Sequence, residues 1–402
     1  MDTQLLKKLK SGQVSFHEID RMLGPDAAIK LRRAAVSELT GTGFNHIDHF
    51  SFDVEDVTRR NIENMIGAVQ VPLGIAGPLR VKGEYADGDF YIPLATTEGA
   101  LVASVDRGCS VITSCGGANV RIFKDAMTRA PVFRVKDVKG AKKLVEWVSG
   151  NFCRLKDEAE KTTNFGRLLS VEPFVAGNNV FLRFSYDTKD AMGMNMVTIA
   201  TDAAVDLILR ENDAWLVALS GNMCIDKKPA AINAVMGRGK TVSCDVIIGR
   251  DTVRKTLKTT PEKMMEVNYR KNLIGSARSL SLGFNAHAAN VAAAIFIACG
   301  QDAAHVVEAS NALTTMEPMD GGLYCSVTLP SLEVGTVGGG TRTGAQHECL
   351  SILGVAGAGN PSGSNSRKFA EITAAAVLAG ELSLIGALAA QHLAKAHSEL
   401  GR

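Results

Sequence analysis

Aromatic side chains are scarce in this chain, at 5% of 402 residues, and neither sign of charge is in excess: 44 Lys and Arg stand against 42 Asp and Glu. That balance excludes the basic footprint that nucleic-acid binding requires. Paired cysteines are missing too. The eight thiols, at 109, 115, 153, 224, 244, 299, 325 and 349, include no C-x-x-C, and several lie in apolar runs. They read as reduced, mostly buried thiols of a cytosolic protein. The eight His form neither H-E-x-x-H nor a Cys/His ribbon, so no metal is expected. No G-x-G-x-x-G opens a helix, so any dinucleotide must bind outside a Rossmann fold. The charged, amphipathic start, residues 1–10, lacks the apolar core of a signal peptide. The run 288–300 is shorter than the roughly 18 residues a membrane span needs. The run 370–390 carries Glu371 and Glu381. Both read as buried helices, and a cytoplasmic protein without membrane contact is expected.

What is present is glycine, 39 residues of it, which announces tight turns and close backbone approaches. The length exceeds what one core usually serves, so two or three domains are expected. Residues 1–50 look like short helices with Leu5, Leu6 and Leu9 on one face. From Pro131 the pattern changes: a β-like run at 131–135, an amphipathic helix at 141–152, alternating strands at 168–172 and 179–186, and a helix at 203–210. Closed by a last strand before Leu219, these give a β-α-β-β-α-β order and suggest a small inserted ferredoxin-like (split βαβ) unit at 131–219. Residues 51–130 and 220–402 then form a large helix-rich domain, and the fold class is α+β.

The stretch that most resists a structural explanation is Asp226-Lys227-Lys228-Pro229. Two adjacent ammonium groups lie between apolar runs at 215–219 and 230–235. On an arbitrary surface they would be a solvated turn. Held near a core, they mark a site for an anion or a developing oxyanion. Asp190-Ala191-Met192-Gly193-Met194-Asn195-Met196 sits at a strand-to-helix junction. It reads either as core filler or as free amides at a helix N-terminus. Glu98, after Thr96-Thr97, reads as a first-turn carboxylate of the following helix. Asp302, in Gly300-Gln301-Asp302-Ala303-Ala304, reads as a cap. Asn285, His287 and Asn290 are polar among apolar neighbours and need partners. Gly237-Arg238-Gly239-Lys240-Thr241 imitates a phosphate loop, but Ala234 stands where such a loop needs its first Gly.

Together with Glu63-Asn64-Met65-Ile66-Gly67, Thr96-Thr97-Glu98-Gly99 and Gly335-Thr336-Val337-Gly338-Gly339-Gly340, these motifs resemble the class I form of the 3-hydroxy-3-methylglutaryl-coenzyme A (HMG-CoA) reductases, from about Asp56 to His397. The resemblance implies a thioester reduced twice by hydride, to mevalonate and free coenzyme A, the committing step of isoprenoid synthesis. NADPH would be the reductant, with NADH not excluded. It implies Glu98 as proton donor, its pKa raised by desolvation and by Asp302, Lys227 as oxyanion stabiliser, Asp302 as the partner of Lys227, and His397 as acid for the leaving thiolate. His392 has no role. Arg129, Ser220, Asp226, Lys228 and Lys271 would contact the hydroxymethylglutaryl group, and Ser104 and Arg107 the coenzyme A. Asn290 would order Glu98 and the lysine. Thr163, Asn164, Asp190, Met192, Gly193, Met194, Asn195 and Gly339 would hold the dinucleotide. The implied assembly is a homodimer, or a dimer of dimers, with the site at the subunit interface. The chain departs from the family pattern at Thr163-Asn164, where Ser-Arg is usual, and at Asp106 and Thr343-Gly344. The missing guanidinium removes a bidentate phosphate partner. The remaining alternatives are NAD-dependent mevalonate breakdown and, more remotely, a nucleotide-phosphate-binding protein using 237–241.

Overall fold

A computed structural model describes residues 2–391. Ten strands carry the architecture: β1 (Leu73–Lys82), β2 (Asp87–Ala95), β3 (Ala118–Arg129), β4 (Val132–Val135), β5 (Arg167–Ala176), β6 (Asn179–Asp187), β7 (Ala214–Ala218), β8 (Gly239–Gly249), β9 (Leu313–Met319) and β10 (Gly322–Leu332). The long β3 joins two pleated regions. Residues 119–126 pair antiparallel with β8, while Met127–Arg129 pair with β6. On one side β8, β10 and β9 follow in antiparallel order, and β1 pairs with β2 and, in parallel, with β3. On the other side the order is β7-β4-β6-β5, antiparallel throughout. The expected β-α-β-β-α-β series is present there, with one helix the sequence reading missed, Phe152–Glu160, directly after Val138–Gly150. The chain enters and leaves this region side by side, the Gly221 amide donating to the Ala130 carbonyl at 2.7 Å.

Burial follows the two regions. One core gathers Phe133, Leu144, Leu155, Phe184, Val197 and Ile208. The other gathers strand residues such as Val242, Val246 and Leu329 around the helix Ser364–Ala389. This helix is apolar on all sides, as a helix inside a core must be. It is the one described helix long and apolar enough to cross a membrane, yet 89% of its most apolar window is buried inside the protein. Its carboxylates explain how it stays in place. Glu371 accepts the amides of Glu84, Tyr85 and Ala86 at 3.0, 2.9 and 2.6 Å. Glu381 accepts those of Ala286 and His287, both at 2.7 Å, and the Thr314 hydroxyl at 2.8 Å. Helix Leu101–Ser114 packs against it so closely that a Cβ on Gly108 would overlap the Ala379 carbonyl. The N-terminal helices Thr3–Lys10, Ile19–Met22 and Pro25–Thr40 share a small core of their own, around Leu6, Leu9, Ile19 and Leu31.

Candidate active site

The site begins where β6 ends and the helix Met194–Glu211 starts. Gly193 precedes this helix at φ 95°, a turn open to glycine, and the first helical amides have no partners within the helix. Opposite them runs the glycine stretch 335–340. Ala191 bridges to Val337, and the Thr336 amide donates to the Asp190 carbonyl at 2.8 Å. A cleft of about 790 Å³ opens between the two, lined by Met192, Gly193, Met194, Asn195, Gly338, Gly339, Arg129, Lys227 and Asp302. A Cβ on Gly338 or Gly339 would meet nothing within 4 Å, so this backbone is open to a flat ligand. Mostly preformed clefts of this size suit a cofactor-sized molecule.

Lys227 and Asp302 meet at the cleft, Nζ to Oδ2 at 2.8 Å. The hydrogen bond to Asp302 raises the Lys227 pKa above its usual value. Burial pushes the Asp302 carboxyl up, but the Lys227 hydrogen bond, the His305 charge and the Ala304 amide hold it below its usual range. Both are therefore ionised near neutral pH. Asp302 also caps the short helix that follows, Oδ1 accepting the Ala304 amide at 3.1 Å. The cap and the Lys227 contact use different oxygens of one carboxylate.

Glu98 departs from its expected setting. It precedes the helix Leu101–Ser114, broken from it by Ala100 at φ 70°, so it is no first-turn carboxylate. It is exposed in the single chain, not desolvated. Its Oε1 accepts from Asn290 Nδ2 at 3.3 Å, as expected of that pair. Among the described residues no hydrogen bond or ion pair joins Glu98 and Asn290 to Lys227. The Lys271 ammonium lies 3.1 Å from Asn272 Oδ1 and 3.4 Å from the Ala286 carbonyl. Lys228 is exposed, 3.4 Å from the Asn222 side chain, and the Ser220 hydroxyl sits 3.4 Å from Cys224 Sγ.

Four expected ligand contacts turn inward instead. The Asp190 carboxylate accepts the amides of Gly359, Gly363 and Ser366 at 3.0, 2.7 and 3.0 Å, capping the long core helix. Asp226 binds His305 at 3.0 Å and Arg238 at 3.2 Å, and the His305 hydrogen bond, with Arg238 close by, lowers it to about 2. Ser104 and Arg107 hold Ser383 on the core helix, at 3.0 Å each. Backbone amides claim Asp190, buried charges claim Asp226, and the Ser383 hydroxyl claims Ser104 and, with its carbonyl, Arg107. Thr163 accepts the Phe165 and Gly166 amides and lies 3.1 Å from Met196 Sδ, while Asn164 is exposed. His397 lies outside the described residues, as does His392. The phosphate-loop alternative fails physically: Arg238 is fully buried among carboxylates, and Lys240 pairs with Asp125 at 3.2 Å.

Sequence reasoning missed Arg238, His305, Glu308 and Glu333, which form a buried ionic cluster beneath Lys227. The signal was there, since Arg238 and His305 lie in or next to quoted motifs, but nothing local says that four such side chains converge.

The family profile described as hydroxymethylglutaryl-coenzyme A reductase matches residues 28–402. A 3-hydroxy-3-methylglutaryl-coenzyme A reductase of Haloferax volcanii is 56% identical over 398 residues, covering 99% of this chain and 98% of that one. Its namesake from Pyrococcus abyssi is 53% identical, with 99% of each chain covered. Among solved structures, the class II enzyme of Streptococcus pneumoniae bound to NADPH superimposes with a TM-score of 0.67 at 18% identity, covering 93% of this chain and 100% of that one. That likeness bears on the fold. Because the solved neighbour is class II, the class I expectation is corrected to the family as a whole.

Proposed function

The chain belongs to the hydroxymethylglutaryl-coenzyme A reductase family, and from that premise we propose how its residues carry out the reduction of HMG-CoA to mevalonate. Two hydrides and two protons convert one thioester to one alcohol and one free thiol. Carbonyl oxygen gains negative charge at each hydride transfer, so a fixed cation aimed at it lowers both barriers. Lys227 supplies that cation. Asp302 keeps the ammonium charged and oriented, and the pair sits on the wall of the cleft between the Met192–Asn195 turn and the 335–340 glycine stretch. This juxtaposition is the observation that carries the reading.

The reductant proposed is NADPH, seated on the Met192–Asn195 turn and the 335–340 glycine stretch, with the unit at 131–219 as its binding domain and 51–130 with 220–402 as the substrate domain. The helix N-terminus and the open glycine backbone fit a phosphate-bearing, flat ligand. Thr163 and Asn164 offer no guanidinium for a 2′-phosphate, so NADH is tested in parallel. Glu98 is the proposed proton donor and His397 the acid for the thiolate. A carboxyl that donates near neutral pH needs desolvation. A second copy laid over the exposed Glu98 would supply it, which places the site at a subunit interface. Lys228, Lys271, Arg129 and Ser220 are the proposed contacts to the hydroxymethylglutaryl group. A cytoplasmic location belongs to the same proposal.

The test is loss of reduced-nicotinamide absorbance that depends on HMG-CoA, run with NADPH and with NADH. Thioester-dependent oxidation with either supports the reading, and oxidation with neither refutes it.

A further inference from the structure

Beneath the Lys227 loop lies a group of charges that the reaction does not use. The side chains of Arg238, His305, Glu308 and Glu333 are all excluded from solvent. Arg238 lies 2.6 Å from Glu333 and 3.6 Å from Glu308, and reaches Asp226 at 3.2 Å. His305 Nε2 is 3.0 Å from both Asp226 and Glu333. The three carboxylates and the imidazole gather closely enough to ligate a metal. However, the guanidinium already stands among them as the cation, paired with Glu333, Glu308 and Asp226.

The network grips the loop above through Asp226, bound by His305 and Arg238, and through the Lys227 amide, which donates to Glu308 Oε1. The loop needs holding. Asn222, Ile225 and Lys227 have φ of 61°, 37° and 59°, left-handed values that non-glycine residues adopt at a cost of roughly 1–2 kcal/mol each. Such conformations persist only where the surroundings over-determine them. Asn233 fixes one point, its Nδ2 donating to the Ile225 carbonyl at 2.8 Å. Asp226, clamped by His305 and Arg238, fixes the next.

We propose that Glu308 is a positioning residue for Lys227: its buried carboxylate, set by Arg238, anchors the Lys227 amide and so aims the ammonium at Asp302 and the cleft. The proposal rests on the reading of Lys227 as oxyanion stabiliser. The groups facing Glu308 are Arg238, His305 and Lys227 itself, with Glu333 across the guanidinium. Burial raises the Glu308 pKa, and the anchor asks only for an acceptor oxygen at this place, which a glutamine side chain of the same shape also presents.

The experiment compares Glu308→Ala and Glu308→Gln in the full chain by steady-state kinetics and by hydrogen exchange of the Lys227 amide. A misplacement of about an ångström costs on the order of 100-fold in rate, so the alanine variant should lose about that much kcat with KM changed by less than roughly threefold. Its Lys227 amide should exchange faster while amides of Ser364–Ala389 do not. The glutamine variant, which keeps an acceptor oxygen, should recover at least about tenfold in kcat over alanine. A folded alanine variant with near wild-type kcat overturns the proposal, as does a folded glutamine variant no better than alanine. If alanine does not fold, the glutamine variant decides: a protected Lys227 amide supports the anchor and an unprotected one refutes it. A wild type without thioester-dependent turnover would refute the functional reading instead, and the exchange comparison would still judge the anchor.

Discussion

Asp302 binds with both oxygens, one capping a helix and the other holding the Lys227 ammonium. From sequence these were competing explanations, and a single carboxylate satisfies both. Lys227 itself was legible because two lysines in an apolar stretch need a reason. Its buried support was not, since Glu308 is 81 residues away. The Lys227–Asp302 pair is partly exposed, and such pairs add only about 0–1 kcal/mol to stability. Lys227→Ala should therefore lower kcat by on the order of 10²–10³-fold with little change in the melting temperature, as steady-state assays and calorimetry would show. Asn164→Arg should lower the KM for NADPH and leave that for NADH unchanged, because a guanidinium adds a bidentate phosphate partner. An unchanged KM for NADPH discards that idea. Glu333 gives a pH prediction. Burial raises its pKa to about 7, against an ordinary 4.5. A raised folded-state pKa means stability that is complete below 4.5 and lost as pH rises through 7. Glu333→Gln should flatten that decline in urea-unfolding curves recorded across this pH range, and an unchanged slope would contradict it.

At the scale of elements, the helix Ser364–Ala389 was readable as buried because acidic residues interrupt an otherwise apolar run. What those acids bind was not readable. Glu371 serves a turn 285–287 residues away, and Asp190, read from its motif as a cofactor contact, caps this same helix. A buried amide such as that of Ala86 must find an acceptor, and leaving it unpaired costs about 1–3 kcal/mol, whereas the exposed Glu84 and Tyr85 can turn to water. Glu371→Ala would strip three amides at once. It should destabilise the protein by about 1–3 kcal/mol in denaturant titrations, a loss well below about 1 kcal/mol being inconsistent with this role. Helix and strand types were mostly legible from periodicity. The second helix at Phe152–Glu160 was missed because Gly150 and Asn151 look like a terminus when only a kink separates two helices.

The whole molecule places two cores along one strand, β3, and sets the cleft where they meet. Topology of this kind was legible only in outline, because strand pairing depends on contacts far apart in sequence. Exposure of Glu98 could not be read at all, since burial is a property of the assembled surface. If a second subunit completes the site, mixing the impaired Glu98→Gln and Lys227→Ala proteins should raise activity above that of either alone, and a mixture no more active than its components would place both residues in one chain's site. The most direct test of the account is the ratio of NADPH, or of NADH should that be the cofactor, oxidised to coenzyme A thiol released in a single reaction mixture. Two hydrides per thioester predict a ratio of two for the wild type. A ratio of one, or oxidation without release of thiol, would contradict the double reduction assigned to this cleft.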